Sequence, residues 1–404
     1  MTGPLSGLRV FDLTRILAGP SCTQILGDLG ADIVKVEMPG TGDDTRGWPP
    51  YLMDDQGDDT SETAYFACAN RNKRSLTINL RSSEGQELAR RLLETSDIFV
   101  ENFKTGSLKN YGLDYDQLKD DFPSLIYCSI SGFGRTGPYA SRPGYDVLVQ
   151  GMGGLMSVTG DPETEPQKVG VPISDLFAGM YAAVSINAAL RHREISGKGQ
   201  FIDIGLLDTT VAMMTNQAMN YLATGLVPPR LGNEHPNIAP YQAFPTSDGE
   251  IVIACGNDEQ FCRLCEFLER PDIASDAKFK SNYWRLKNRQ ELNGILYSIT
   301  SKKPSHYWLE QLEKRSISCG PINTLDKVFA DPQVKARGML VDMAHLALGE
   351  ETLRLVGSPI NMSQTPVAYR YPPPRLGQHT DELLREILCM DSEQIAALRE
   401  SGAI

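Results

Sequence analysis

The first 200 residues switch repeatedly between two hydrophobic periods, and that alternation constrains the fold more than any other feature. Short β-branched and apolar stretches at Leu8–Leu13, Ala31–Glu37, Ser75–Leu80, Asp97–Glu101 and Leu125–Ser129 read as strands, with Phe201–Ile204 as another. Helical stretches lie between them. Ser82–Glu94 is the clearest, with Ser83 and Gln86 at capping-box spacing and Leu88, Leu92 and Leu93 on one face. Parallel strands can be joined only through a crossover of a dozen or more residues. Strands alternating with helices therefore predict an open α/β layer, a parallel sheet with helices on both faces.

Further along, Asp175–Glu194 reads as a longer helix whose Gly179, Met180, Ala182 and Ala183 suit close packing. Arg191, His192 and Arg193 fall in its last turn, where cations complement the helix dipole. Gly197-Lys198-Gly199 ends it, and 201–224 is expected to act as a linker. Near Pro228-Pro229 the pattern changes. Tyr241–Ala254 reads as a hairpin turning at Ser247-Asp248-Gly249, followed by amphipathic helices around Glu259–Leu268, Arg285–Ile299 and Tyr307–Lys314. A smaller domain is expected over 225–325, in line with two to three domains for 404 residues at roughly 150 each. Two terminal helices, Asp381–Leu388 and Ser392–Ser401, close the chain.

Charge and cysteine usage exclude several functions. A net charge of -12 disfavours general binding to nucleic-acid phosphates, which needs clustered Lys and Arg. No run of about 18 apolar residues is found, so no membrane span is expected. The N-terminal stretch lacks a signal core and an Arg-rich leader, and the eight cysteines form no disulfide framework. A reducing compartment is expected: cytoplasmic, or mitochondrial where a leader has been removed.

Three motifs match by letter and fail by context. Gly132-Phe133-Gly134-Arg135-Thr136-Gly137 has dinucleotide-fingerprint spacing, yet Pro138 and Pro143 follow and no helix opens there, so a bent loop at a strand end is expected. Cys262-Arg263-Leu264-Cys265 lacks a second ligand pair and reads as buried packing on a helix. Asn361-Met362-Ser363 is a sequon by letter only. Asp175 is different. It stands in Gly170-Val171-Pro172-Ile173-Ser174-Asp175, an apolar, Pro-restrained stretch running into the long helix. On sequence alone it fits best as a helix N-cap, and it also fits a partly desolvated carboxylate able to act as a nucleophile; spacing does not separate the two.

A series of segments then occurs in a recognisable order: Leu13 to Pro20, Leu29 to Glu37, Gly42 to Arg46, Asn70 to Ser75 and Val100 to Phe103. Gly132 to Pro138, Pro143 to Asp146, Gly197 to Gln200, Pro240 to Phe244 and Gly377 to Thr380 continue it. Over nearly the whole chain this wording resembles the class III CoA-transferases, the family of formyl-CoA transferase and the carnitine CoA-transferases. Gly42–Arg46, Pro240–Phe244 and Cys319–Asn323 are most similar to the succinyl-CoA:glutarate branch.

The resemblance implies a Rossmann-like large domain built from 1–200 and 330–404, a small α+β domain, and an interlinked homodimer. It implies that Asp175 is the catalytic aspartate, attacking an acyl-CoA to give a mixed anhydride and then an aspartyl-CoA thioester. CoA contacts are implied at Leu17, Ala18, Ile78, Asn79, Leu80, Arg81, Asn102, Phe103, Lys104, Pro143, Gly144, Tyr145 and Asp146. The substrates would be an acyl-CoA such as succinyl-CoA and a carboxylic acid, with no metal and no permanently bound cofactor. Met38 and Asn110 replace two arginines of formyl-CoA transferase, leaving Arg81, Lys104 or Lys109 to substitute. The glycine-only active-site loop of that enzyme is absent, Gly232–Pro236 standing in the comparable region, which disfavours oxalate-sized acids. A dicarboxylate such as glutarate would need an arginine for its remote carboxylate, and Arg15, Arg46 and Arg71 are the candidates. Two alternatives stay open. An α-methylacyl-CoA racemase needs a second base, where this chain has Tyr145; a non-catalytic CoA-binding subunit would keep the scaffold alone.

Overall fold

The computed structural model describes residues 3–349 and 351–404, and its larger unit is organised by six parallel strands. These are β1 (Arg9–Leu13), β2 (Asp32–Glu37), β3 (Lys73–Thr77), β4 (Ile98–Glu101), β5 (Ile126–Ser131) and β6 (Phe201–Gly205). They lie in the order β3-β2-β1-β4-β5-β6, and every pairing is parallel. The order reverses between β1 and β4. At such a switch point the connections leave in opposite directions, opening a crevice beyond the carboxyl ends of the two strands.

The helices that matter below are α1 (Ala18–Asp28), α2 (Ser83–Leu93), α3 (Asp146–Met152), α4 (Ile173–Ser196), α5 (Leu206–Met213) and α6 (Thr215–Thr224). Alternation along the strands divides the core in two. Val10 of β1 packs in the cluster that holds Cys22 and Leu26 of α1 and Ala178, Ala182 and Ile186 of α4. Phe11 and Leu13 point the other way, to Leu88 and Leu92 of α2. Helix α4 is long and apolar enough to cross a bilayer by length and composition alone, yet its Ala178, Ala182, Ile186 and Leu190 are buried in the core. It is a core helix: a Cβ placed on its Gly179 would stand 2.6 Å from the Ala18 carbonyl oxygen, so glycine permits the close approach of α4 to α1.

Two local expectations need correction. Helix α2 is capped by Ser82, which accepts from the Gly85 N–H at 3.0 Å, while Ser83 turns to Glu84. Residues 201–224 are not a linker but β6, α5 and α6. The larger unit spans residues 1–154, 169–214 and 332–404, and the smaller one 155–168 and 215–331.

The smaller unit has an antiparallel sheet of β7 (Tyr241–Pro245), β8 (Glu250–Ala254) and β9 (Ser318–Pro321), ordered β9-β8-β7. Helices α7 (Asp258–Phe267), α8 (Arg289–Thr300) and α9 (Ser305–Glu313) cover it, around Phe244, Ile251, Phe261, Leu292 and Trp308. The helix expected over Arg285–Ile299 breaks at Asn288, whose side chain donates to the Lys278 and Trp284 carbonyls, while Arg285 before the break turns inward to the Ala239 and Phe279 carbonyls and to Asp258. Of the C-x-x-C pair, Cys265 is buried as expected. Cys262 is exposed, three residues round the helix. The chain then returns to the larger unit, where α10 (Thr380–Leu388) and α11 (Ser392–Glu400) complete the α2 side of the sheet.

Candidate active site

On the α1 face, β1, β2 and β3 place charges where a parallel strand ordinarily carries aliphatic side chains. Asp12, Lys35, Glu37 and Lys73 are all buried there. Each charge is matched. Lys73 Nζ lies 3.2 Å from Asp12 Oδ2 and donates to the Pro20 carbonyl and Asn70. Asp12 also accepts from Thr14 and Thr23. Lys35 Nζ donates to the Thr14 carbonyl at 2.9 Å and to Asp43 at 3.0 Å. Burial pushes the Asp12 and Asp43 carboxyls up, but the lysines and the donated hydrogen bonds outweigh it, so both stay below the ordinary aspartate value.

This buried lattice shapes the β1–α1 connection. Asp43 accepts the backbone N–H of Ile16, which is held at φ +69°, a left-handed conformation that a β-branched residue strongly disfavours. Across the switch point Asn102 clamps Arg15, accepting its N–H at 2.9 Å and donating to its carbonyl at 2.7 Å. The loop after β5 is fixed as tightly. Gly132 and Gly144 touch backbone to backbone: a Cβ on Gly132 would stand 2.5 Å from Gly144 Cα. Arg135 donates to Ser129 and to Glu101, whose other oxygen accepts from the Phe103 N–H at 2.8 Å. The G-x-G-x-x-G stretch is thus a packing loop at a strand end, as its prolines suggested, and opens no helix.

These loops enclose two adjoining clefts of about 140 and 320 Å³, sharing Arg15 and Phe103 in their walls. The first is walled by Leu17 and Ala18, by Asn102 to Thr105, by Ser131 and Gly132, by Arg142 to Tyr145, and by Asp175. The second adds Met38, Ile78, Leu80, Arg81 and Tyr111. Most residues expected to contact CoA therefore meet in one trough. Asn79 does not line it: its side chain bonds the Gly402 carbonyl and the Arg81 N–H. Nor does Asp146, whose carboxylate accepts from Ser174 N–H at 2.8 Å and Gln150 at 2.6 Å. Of the substitute cations, Lys104 lines the first cleft and Arg81 the second, while Lys109 and Asn110 line neither.

Asp175 is not an N-cap. Helix α4 begins at Ile173 after Pro172, so Asp175 is its third residue. Its carboxylate, half-buried in the cleft wall, has no hydrogen-bond or ion-pair partner among the described residues. Burial, and then the charge of Asp146, push its pKa up to about 7. A carboxylate that is unpaired, basic and open to a cleft has its lone pairs available for attack.

The arginine expectations divide. Arg46 is spent on Glu37 (2.8 and 2.9 Å), Glu62 and the Pro374 carbonyl, over the Phe66 ring. Arg71 is spent on Asp28 and the Val356 carbonyl. Neither lines a cleft, since each satisfies a buried carboxylate. Arg15 does line the trough, paired with Asp44 at 3.0 Å. Arg142 was missed by sequence reasoning. It lies in the wall with Asp175, its guanidinium 4.6 Å from the Tyr139 ring and with no carboxylate partner among the described residues. No histidine lines either cleft.

A sequence profile described as CoA-transferase family III matches residues 5–380. The chain belongs to this family. Among the relatives of this class III CoA-transferase is the succinate–glutarate CoA-transferase of Agrobacterium fabrum, 48% identical over 385 residues, covering 95% of this chain and 96% of the relative. The human succinyl-CoA:glutarate CoA-transferase is 40% identical over 402 residues, covering 99% and 90%. A crystal structure of a CAIB/BAIF family protein from Brucella suis superimposes with a TM-score of 0.84 at 48% identity, over 96% of this chain and 100% of that one. Enzymes of this family use CoA thioesters as substrates.

Proposed function

We propose that this transferase moves CoA from succinyl-CoA to a dicarboxylate such as glutarate, with Asp175 as covalent nucleophile. The observation that carries the proposal is the bare carboxylate of Asp175, unpaired and raised to about 7, in the wall of the first of two clefts that share Arg15 and Phe103. The names of the A. fabrum and human relatives support the substrate pair.

The chemistry runs in balanced steps. Ionised Asp175 attacks the thioester carbonyl; the C–S bond breaks, giving an aspartyl–succinyl anhydride and CoA thiolate. The thiolate attacks the aspartyl carbonyl, releasing succinate and leaving an aspartyl-CoA thioester. Glutarate then attacks that thioester, CoA leaves as thiolate, and its attack on the glutaryl carbonyl frees Asp175 and glutaryl-CoA. Each intermediate keeps the acyl activation that hydrolysis would lose. Nucleophile ionisation sets the acid limit, so the rate falls as pH drops through about 7. Arg142, which lines the same cleft as Arg15, is the bidentate partner for the acid's remote carboxylate.

A second copy of the chain covers the exposed apolar side chains of α4, Met180, Tyr181, Val184 and Ile195, as in an interlinked pair. Sedimentation at micromolar concentration checks this, since a monomer would remove it. The central test is mass spectrometry of CoA products from succinyl-CoA with a panel of dicarboxylates, and hydroxylamine trapping at Asp175. Normal transfer by Asp175→Ala would overturn the mechanism; transfer only to monocarboxylates would overturn the substrate class.

A further inference from the structure

Two buried hydroxyl oxygens in the wall of the first cleft have no hydrogen-bond partner: Thr105 Oγ1 and Ser131 Oγ. Thr105 follows the Asn102–Lys104 segment after β4, and Ser131 ends β5, the adjoining strand. Unsatisfied buried hydroxyls are uncommon because each forfeits its hydration with no return. Among the described residues such atoms occur on only three other side chains, all in the smaller unit. That both orphans of the larger unit fall in the wall shared with Asp175 is the observation that needs a cause.

We infer that Thr105 and Ser131 are positioning residues for the amide-bearing arm of coenzyme A. The inference rests on the reading of the trough as a CoA-ester site. Asp175 fixes the thioester end in the first cleft, and the second cleft, beyond Arg15 and Phe103, is left for the nucleotide. The stretch between them must hold a chain carrying two amide groups. An amide offers both an acceptor and a donor, so a hydroxyl satisfies either. Neither oxygen is reached by solvent as the side chains stand. Contact with the arm then requires each hydroxyl to turn into the cleft, a χ1 step of about 120° between staggered rotamers. The free protein thus holds two groups whose hydrogen bonds are made when the arm arrives.

The test is calorimetric binding of two probes to the full chain: CoA, and adenosine 3′,5′-bisphosphate, which lacks the arm. Thr105→Val and Ser131→Ala are each expected to weaken CoA by about 5- to 20-fold and to leave the bisphosphate within about twofold. Thr105→Ser, which keeps the hydroxyl, restores CoA affinity. Melting temperatures of Thr105→Val and Ser131→Ala stay equal to wild type or rise, because a partnerless buried hydroxyl has been removed. A hydroxyl that held the fold would instead lower them. Unchanged CoA affinity, equal weakening of both probes, or a fall in melting temperature would each overturn the inference. Failure of the transferase reading is a separate result, absence of CoA exchange by the wild-type chain, and leaves the binding comparison interpretable.

Discussion

Two groups of carboxylates stand at one end of the same sheet and are treated in opposite ways. Asp12, Asp43 and Glu37 are more deeply buried than Asp175, yet lysine, arginine and hydroxyl donors hold them below the ordinary carboxylate value. Asp175, less buried, pairs with no cation among the described residues and is raised to about 7 by burial and by Asp146. Burial alone therefore does not separate scaffold from chemistry; the supply of donors does. Where donors saturate a charge it fixes a loop, and where they are withheld it stays reactive.

Substitutions that cross this boundary give the largest effects. Asp175→Asn should lower kcat for CoA transfer by at least ~10³-fold, the loss of a nucleophile. It should also raise the melting temperature at pH 8. A carboxyl whose folded pKa exceeds its unfolded value opposes folding when ionised, so the gain is full above about 7 and fades toward pH 4. A variant less stable than wild type at pH 8 would contradict the contrast. Lys35→Met should do the reverse: it leaves the buried Asp43 carboxylate without its cation and costs about 3–5 kcal/mol in urea unfolding. A loss below about 1 kcal/mol would show that the lattice is dispensable.

Smaller effects sharpen the comparison. Arg142→Gln should reduce kcat/KM for glutarate about tenfold or more and leave a monocarboxylate of equal length nearly unchanged, one charge-assisted contact being lost. Arg46→Gln, with its guanidinium committed to Glu37 and Glu62, should destabilise the fold without that selectivity. Equal losses for both acids in Arg142→Gln would remove it as the carboxylate anchor. Asp146→Asn has the mildest expected effect. Removing its charge lets the Asp175 pKa fall, and the acid limb of the pH–rate profile moves below 7. An unmoved limb would assign the whole shift to burial.

The alternation of periods made the parallel sheet legible, because a strand buried on both faces still differs in length from the helix that follows it. Hydropathy failed where charge replaced aliphatic bulk. Strand β3 begins at Lys73 and not at Ser75, since Lys73 and Arg74 are drawn inside by Asp12 and by Asp32, Glu382 and Glu386. Asp175 could be singled out from its setting and its family resemblance, but its position inside the helix, and so its lack of capping bonds, is set by where the chain turns at Pro172. Arg46 and Arg71 misled because a guanidinium in a family motif reads the same whether it meets a ligand or a buried carboxylate. Thr105 and Ser131 left no trace, as being unpartnered is a property of neighbours alone.

The return of the chain to the larger unit has a consequence for its synthesis. Strand β3 takes the His379 N–H on its Ser75 carbonyl, and the Asn79 N–H at its exit bonds the Ala403 carbonyl. A ribosome that has delivered the sheet's first three strands has still to add some 300 residues before those props exist. The smaller unit, encoded between them, is complete earlier and can condense on its own. Chains that end near position 340, once clear of the ribosome, should therefore resist protease over 215–331 while the stretch through Ile78–Arg81 is still being cut.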